Sequence, residues 1–406
     1  MFGKVHISGA KNSVLPLIAA TLLTDGVSVI DESPWLSDVD VMCRVLDHLG
    51  AVTDFHNGQL FIDTTHINTI DPPGELLRQM RASFLIMGPL LARTGIARMS
   101  MPGGCAIGAR PIDLHLKGFE ALGAEISIDH SFIVAKAKKL SGARIYLDFP
   151  SVGATENLIM AATLAEGQTI IDNAAHEPEI IDLANMLNAM GANIKGAGTN
   201  IIRIEGVSSL RPAQHTVIPD RIEAASFLAM AAATGGELIV SNVIAEHLQP
   251  LTAKLLEIGV TMEIGLDSIH ILGGPDILPV DIKTLPYPGF PTDAQAQFMA
   301  LLTVGRGSSV ITETVFENRF MHAEELMKMK ADIVIDGNSA VVNGVSHLEA
   351  AVVEATDLRA GAAMVIAAQM AKGVTEIRGI HHIQRGYENF CEKLENIGSR
   401  VKLVDD

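Results

Sequence analysis

The sequence predicts an α/β fold, not separated at this level from α+β, built as two domains of three repeated units each. Three observations carry that prediction: one segment pattern recurs six times, two kinds of helix alternate, and short β-branched runs stand between them. A helix that ends near Leu-Gly-Ala and runs into a strand reads LDHLGAVTDF, FEALGAEISI, LNAMGANIKG, LLEIGVTMEI, MKMKADIVID and LENIGSRVKL. Its turn residue is Gly50, Gly123, Gly191, Gly259, Lys330 and Gly398, at spacings of 73, 68, 68, 71 and 68 residues. Lys330 is read as drift within the repeat.

Each unit carries an Ala-rich helix that is apolar on most faces: GAKNSVLPLIAATLL, MRASFLIMGPLLA, SVGATENLIMAATLA, PDRIEAASFLAMAAA, PTDAQAQFMALLTV and ATDLRAGAAMVIAAQMA. Helices apolar nearly all round are buried. The second helix of a unit is amphipathic, as over 110–122 and 390–397, and belongs over a sheet. Runs such as GQTIIDN, ELIVSN and SSVITET supply strands. Six such units exceed one core, and 406 residues suffice for two or three domains of roughly 100 to 200 residues. The prolines near 212–219 place a boundary around 215, so a first domain is expected over 11–215 and a second over 1–10 plus 216–406.

Hydrophobic residues make up 48% and aromatics 4%, so Ala, Ile, Leu, Val and Met fill the interior. A net charge of -17 disfavours nucleic acid and anionic membranes as partners, and few Tyr and Trp argue against base stacking. Three cysteines without a secretory leader predict a reducing cytoplasm, with Cys43 and Cys391 as packing residues. The apolar stretches 83–92 and 361–371 fall short of the roughly 18 to 20 residues that span a bilayer. No His/Cys/Asp/Glu spacing suggests a metal, and no phosphate-binding glycine motif suggests a nucleotide cofactor, so neither is expected.

The segment Pro102-Gly103-Gly104-Cys105-Ala106-Ile107-Gly108-Ala109-Arg110-Pro111 is the first functional candidate. Its glycines permit close backbone approach to a ligand, and a thiol five residues from a guanidinium can become a usable acid or nucleophile. A glycine-rich turn with an incidental cysteine is the alternative. The second candidate lies at the starts of the six apolar helices, where Lys11 and Asn12, Arg81, Ser151 with Gly153, Asp220 with Arg221, Asp293, and Asp357 with Arg359 gather. A helix start carries unpaired N–H groups and partial positive charge, which attract phosphate or carboxylate. Six such ends on one cleft, joined by Arg110 and Arg385, would form a cationic site within an acidic protein. Capping is the competing role, favoured for Asp220; the turn Pro288, Pro291, Thr292 before Asp293 favours chemistry there.

ISGAKNSVLPL, MRASFLIMGPLLAR, PGGCAIGARPIDLHLKG, SVGATENLIMAATLAEG, PTDAQAQF, TETVFENRFMH, ATDLRA and HHIQRGYE together resemble the UDP-N-acetylglucosamine 1-carboxyvinyltransferases of the EPSP synthase superfamily, over nearly the whole chain. The resemblance implies an inside-out α/β barrel in each of two domains, with six βαβαββ-type units. It implies transfer of the enolpyruvyl group of phosphoenolpyruvate to the 3-hydroxyl of UDP-N-acetylglucosamine with release of phosphate, the first committed step of peptidoglycan synthesis. By resemblance Lys11, Arg110 and Arg385 hold phosphoenolpyruvate, Cys105 is the loop acid and fosfomycin target, and Asp293 is the base. Asn12 orients the reacting groups and Arg359 assists at the enolpyruvyl site. The segments Arg110, Pro111, Ile112, Asp113, Leu114 and Ser151, Val152, Gly153 are implied around uracil and diphosphate. Asp293 and Val315 are implied at the sugar, and Arg81 near the Cys105 loop. Glu317, Asn318 and Arg319 stand open between a loop of intra-chain ion pairs and a site role.

The implied partners are the two small-molecule substrates, with a monomer expected and the domains closing on UDP-N-acetylglucosamine. Two departures bear on this. Seven residues precede Ser8, so the opening strand is expected to be short or missing and the second domain to lack an edge strand; Phe149 stands where some members have Lys. The rival readings are the shikimate 3-phosphate enolpyruvyl transferase, whose family lacks a PGGC-type loop, and a non-catalytic paralogue that binds UDP-N-acetylglucosamine.

Overall fold

The computed structural model describes residues 1–101, 112–129, 132–274 and 276–404. The chain forms two compact units: Met1–Ser8 joins the chain from Pro219 onward in one, and Gly9 to Ile218 forms the bulk of the other. Each unit has its own hydrophobic core.

In the 9–218 unit, three helical stretches lie in the core: Lys11–Ala20, the run of a 3-10 turn Arg81–Ile86 into Met87–Thr94, and Val152–Ala162. Every residue of Lys11–Ala20 except Asn12 is buried, as an all-round apolar helix requires. Amphipathic helices such as Ser37–Leu49 pack outside, burying Val39, Met42, Val45, Leu46 and Leu49. Three sheets complete the unit. One has the order Gln214–Thr216, Val27–Asp31, Gln59–Asp63, Val52–His56; another Asn193–Lys195, Ile201–Glu205, Gln168–Asp172, Arg144–Tyr146; the third Ile96–Ser100, Phe132–Lys136, Glu125–Asp129.

The other unit repeats the plan, with Arg221–Thr234, Gln295–Leu302 and Leu358–Met370 packed on one another at its centre. Its sheets are Phe2–His6, Glu237–Ser241, Ser268–Leu272, Thr261–Ile264; then Ile282–Lys283, Ser308–Thr312, Ser339–Asn343, Asp332–Asp336; and the pair Val352–Glu354 with Glu376–Arg378. Each four-stranded sheet joins an antiparallel set of three to one parallel edge strand. With helices inside and sheets outside, this is the predicted two-domain inside-out α/β fold.

The edge strand expected to be missing is present. Phe2–His6 pairs in parallel with Glu237–Ser241, from Phe2 opposite Glu237 to His6 opposite Ser241. Five residues suffice because Val5 and the adjoining Ile7 enter the core, and the Phe2 N–H donates to the Ile397 carbonyl at 3.0 Å.

The six turn residues share one conformation. Gly50, Gly123, Gly191, Gly259 and Gly398 have φ between 83° and 106°, and Lys330 follows them at 71°. At each, the turn residue's N–H donates three residues back and the next N–H five residues back, as in Gly50 to Asp47 with Ala51 to Leu46 and Lys330 to Met327 with Ala331 to Leu326. This pair of hydrogen bonds closes the helix end on its orphan carbonyls. The repeat is therefore one of backbone geometry, and Lys330 keeps the geometry without the glycine. Among the described residues, no helix is long and apolar enough to cross a membrane.

Candidate active site

Cys105, Arg110 and Pro111 lie outside the described residues. The remaining candidates fall into two sets, one in each unit.

In the unit that includes 219–406, the set is built around Asp293. This residue sits in the 3-10 turn Thr292–Ala294 that leads into Gln295–Leu302. Its Oδ1 accepts from Arg319 Nη2 at 2.8 Å, and its Oδ2 accepts from Arg359 Nη2 at 3.0 Å and Nε at 3.3 Å. The two guanidinium side chains are only 6% and 4% exposed, whereas the carboxylate is 26% exposed. Burial works against the Arg359 cation, but Asp293, Tyr387 and Asp220 outweigh it and hold its pKa above the ordinary arginine value. Arg359 Nη1 is buried with no hydrogen-bond partner among the described residues.

The neighbouring helix starts behave differently. Asp220 accepts from the Ile222 and Glu223 N–H groups at 2.8 and 3.0 Å, and Asp357 from those of Arg359 and Ala360 at 2.8 and 3.0 Å. These two are caps, as preferred for Asp220. Asp293 instead faces arginines. Arg319, left open between ion pair and site residue, pairs with the Asp293 carboxylate. Val315 is half-buried and its N–H donates to Glu313 Oε1 at 2.8 Å. Arg385 is half-buried in the turn after Ile380–Ile383; burial, then the charges of His381 and Arg385, lower the His382 pKa.

In the 9–218 unit, Lys11 opens Lys11–Ala20 and is buried, its Nζ 2.6 Å from Asp38 Oδ2 in the first turn of Ser37–Leu49. Asn12, next on that helix, is exposed. Ser151 caps Val152–Ala162 through the Ala154 N–H at 3.3 Å, and Val152 and Gly153 form its half-buried first turn. Half-buried Ile112 precedes Asp113–Ala121, in which Asp113 is exposed and Leu114 half-buried.

Buried His115 links these helix starts. The Gly88 N–H donates to Asn157 Oδ1 at 2.7 Å, and Asn157 Nδ2 donates to the Phe84 carbonyl at 3.0 Å. The amide orientation is thus fixed, and Nδ2 also lies 3.1 Å from His115 Nδ1, which must accept. The ring proton therefore sits on Nε2, on the side of Gly153, where a Cβ would lie 3.6 Å away. Burial, and secondarily the charge of half-buried Arg81, push the His115 pKa down to about 3, so the imidazole is neutral at pH 7. The structure thus brings Arg81, His115 and Gly153 together in one unit, and Asp293, Arg319 and Arg359 in the other.

Sequence reasoning did not single out Asp38, His115 or Glu313, and for Arg319 it offered an ion pair without naming Asp293 as the partner. His115 lies inside the PIDLHLKG motif and Arg319 inside ENRF, so motif membership was the only signal for either.

A family model described as EPSP synthase (3-phosphoshikimate 1-carboxyvinyltransferase) matches residues 1–394. The chain is 58% identical over 399 residues to UDP-N-acetylglucosamine 1-carboxyvinyltransferase 1 of Caldanaerobacter subterraneus subsp. tengcongensis, covering 98% of this chain and 96% of that protein. It is 60% identical over 406 residues to UDP-N-acetylglucosamine 1-carboxyvinyltransferase 2 of Carboxydothermus hydrogenoformans, covering 100% and 97%. Among solved structures, the enolpyruvyl transferase NikO from Streptomyces tendae superposes with a TM-score of 0.89 at 24% identity, covering 98% of this chain and 95% of that one. EPSP synthase from Acinetobacter baumannii gives 0.76 at 18% identity, covering 100% and 97%. At those identities the two structures share the fold.

Proposed function

The chain belongs to the UDP-N-acetylglucosamine 1-carboxyvinyltransferases within the EPSP synthase family, and on that footing we propose that it transfers the enolpyruvyl group of phosphoenolpyruvate to the 3-hydroxyl of UDP-N-acetylglucosamine, releasing phosphate. The observation that carries this reading is identity of 58% and 60%, over nearly full length, to proteins so named. The reaction opens peptidoglycan synthesis, in the cytoplasm. The two compact units serve as the two domains of a monomer.

The chemistry sets the roles. Phosphoenolpyruvate presents a carboxylate and a phosphate close together, so it needs several cations, which Lys11, Arg110 and Arg385 supply; guanidinium forks hold such groups bidentately. In the addition step the sugar 3-oxygen bonds to the central carbon while the methylene carbon gains a proton, giving a tetrahedral intermediate. In the elimination step a proton leaves the methyl carbon and the C–O bond to phosphate breaks. Cys105 acts as the acid and also forms a covalent enolpyruvyl adduct. Asp293 accepts the sugar hydroxyl's hydrogen bond and takes its proton as the new C–O bond forms. Arg319 and Arg359 keep that carboxylate oriented, and the unpartnered Arg359 Nη1 is a buried donor suited to the enolpyruvyl anion.

For the nucleotide sugar, Arg81, Arg110, Pro111, Ile112, Asp113 and Leu114, with the Ser151–Val152–Gly153 turn, take uracil and diphosphate, while Val315 contacts the sugar ring. Helix starts favour anions, which suits the turn at Ser151. Asn12 orients the reacting groups.

A coupled phosphate-release assay with phosphoenolpyruvate tests the proposal. Phosphate is expected with UDP-N-acetylglucosamine and none with shikimate 3-phosphate; release only with the latter refutes the acceptor. Fosfomycin is expected to alkylate Cys105. The Cys105→Ala variant should keep UDP-N-acetylglucosamine binding while turnover collapses by about 100-fold or more. A parallel loss of binding would remove Cys105 from the acid role.

A further inference from the structure

We propose that Glu313, which the scheme above leaves unused, is the positioning residue for the Asp293 carboxylate, acting through the Thr292 hydroxyl and Arg319; this rests on the assignment of Asp293 to the sugar hydroxyl. Glu313 follows the strand Ser308–Thr312 and is 2% exposed. Its Oε1 accepts from the Thr284 hydroxyl at 2.8 Å and from the N–H groups of Val315 and Phe316 at 2.8 and 3.3 Å. Its Oε2 accepts from the Thr292 hydroxyl at 2.8 Å. Four donors on one buried carboxylate leave it fully engaged.

The direction of the chain beyond it follows from proton counting. A hydroxyl has one proton, and that of Thr292 goes to Glu313, so Thr292 Oγ1 can only accept from Arg319 Nη1, at 3.0 Å. The other guanidinium nitrogen, Nη2, donates to Asp293 Oδ1 at 2.8 Å. Glu313 is therefore the terminal acceptor of the chain through Thr292, and the half-buried carboxylate of Asp293 lies at its far end. The same Glu313 oxygen that receives Thr284 also holds the Val315 backbone, so one side chain sets both the implied sugar contact and the orientation of the base. An amide at 313 would turn an N–H toward Thr292, which would then face two donors with no acceptor for its own proton.

The test measures steady-state phosphate release for Thr292→Val, Thr292→Ser, Glu313→Gln and Asp293→Asn in the full-length chain. Thr292→Val removes the hydroxyl at nearly constant volume and keeps the proposal testable if Glu313→Gln fails to fold. Thr292→Val is expected to lower kcat by about 10-fold or more with KM for phosphoenolpyruvate within about 2-fold, and Thr292→Ser to recover kcat to within about 3-fold of the parent. Where it folds, Glu313→Gln should match Thr292→Val. Unchanged kcat in Thr292→Val beside an inactive Asp293→Asn would overturn the relay and leave the role of Asp293 standing. Failure of serine to rescue would also overturn it, since shape rather than the hydroxyl would then matter. Full turnover in Asp293→Asn would instead remove the assignment on which the relay rests.

Discussion

In the 9–218 unit the buried helices begin at Lys11, after Arg81 and at Ser151, whereas in the other unit they begin beside Asp220, Asp293 and Asp357. The backbone plan is shared, and so is the partial positive charge at each helix start. What differs is how that charge is met. Asp220 and Asp357 accept the first N–H groups directly, so those ends are neutralised from within. At the starts in the 9–218 unit stand Lys11, Arg81 and Ser151, of which Lys11 is answered by Asp38 from another helix and Ser151 accepts from the Ala154 N–H, while buried His115 is held neutral. One backbone plan thus carries aspartates at the helix starts of one unit and lysine, arginine and serine at those of the other, and in the former the Asp293 carboxylate is held between two buried arginines.

The largest effect that could break this comparison is on stability. Asp293 is shared by two buried guanidiniums, while Asp38 answers the single ammonium of Lys11. Asp293→Asn removes the one carboxylate that two buried guanidiniums share and is expected to cost about 3–5 kcal/mol of unfolding free energy. Asp38→Asn removes the carboxylate 2.6 Å from one ammonium and should cost roughly 2 kcal/mol. Urea unfolding of both variants at pH 7 measures the difference. Equal losses would mean that the two halves neutralise their charges alike.

A somewhat smaller effect concerns His115. Its pKa is about 3 in the fold against an ordinary value of 6.5, so below pH 6.5 the unfolded chain takes up a proton that the folded chain refuses. The stability contributed by the neutral ring is fully present above pH 6.5 and falls by about 1.4 kcal/mol per pH unit as the pH drops toward 3. Glu156, whose carboxyl burial pushes well above the ordinary range in the same unit, pulls the other way. The readout is therefore the difference between parent and His115→Gln. Between pH 6 and pH 4 the variant should lose a slope of about one proton, measured as unfolding free energy against pH. An unchanged slope would show the ring to be charged in the fold and the 9–218 unit to hold one more cation.

These contrasts also mark what the sequence could and could not disclose. The helices that are apolar all round, and the six turns where a residue must take φ above zero, were legible because each rests on residues within a few positions of one another. The start residues Lys11, Arg81, Ser151, Asp293 and Arg359 were legible for the same reason. The pairs that give them their chemistry were not. Arg319 reaches Asp293 across 26 residues and Arg359 across 66, and no local pattern announces either contact. His115 became informative only when Asn157, 42 residues away, fixed its tautomer. The edge strand Phe2–His6 was misjudged because its evident length is short and its partner begins at Glu237.

The smallest effect narrows the comparison to the six helix-ending turns, where Lys330 alone among them holds φ at 71° with a side chain. A left-handed conformation costs a non-glycine residue about 1–2 kcal/mol, and part of the gain on replacing it is offset because glycine loosens the unfolded chain. Lys330→Gly should therefore stabilise the protein by roughly 0.5–1 kcal/mol. The mirror change is Gly398→Ala, at a turn with φ of 83° and open space where a Cβ would stand, so only backbone strain is added there. It should cost about 1 kcal/mol. Urea midpoints of both variants, at unchanged slope, give the two values. If Lys330→Gly destabilised the protein, the lysine would have to contribute a contact worth more than the strain it carries, and the fifth turn would be a specialised copy of the repeat.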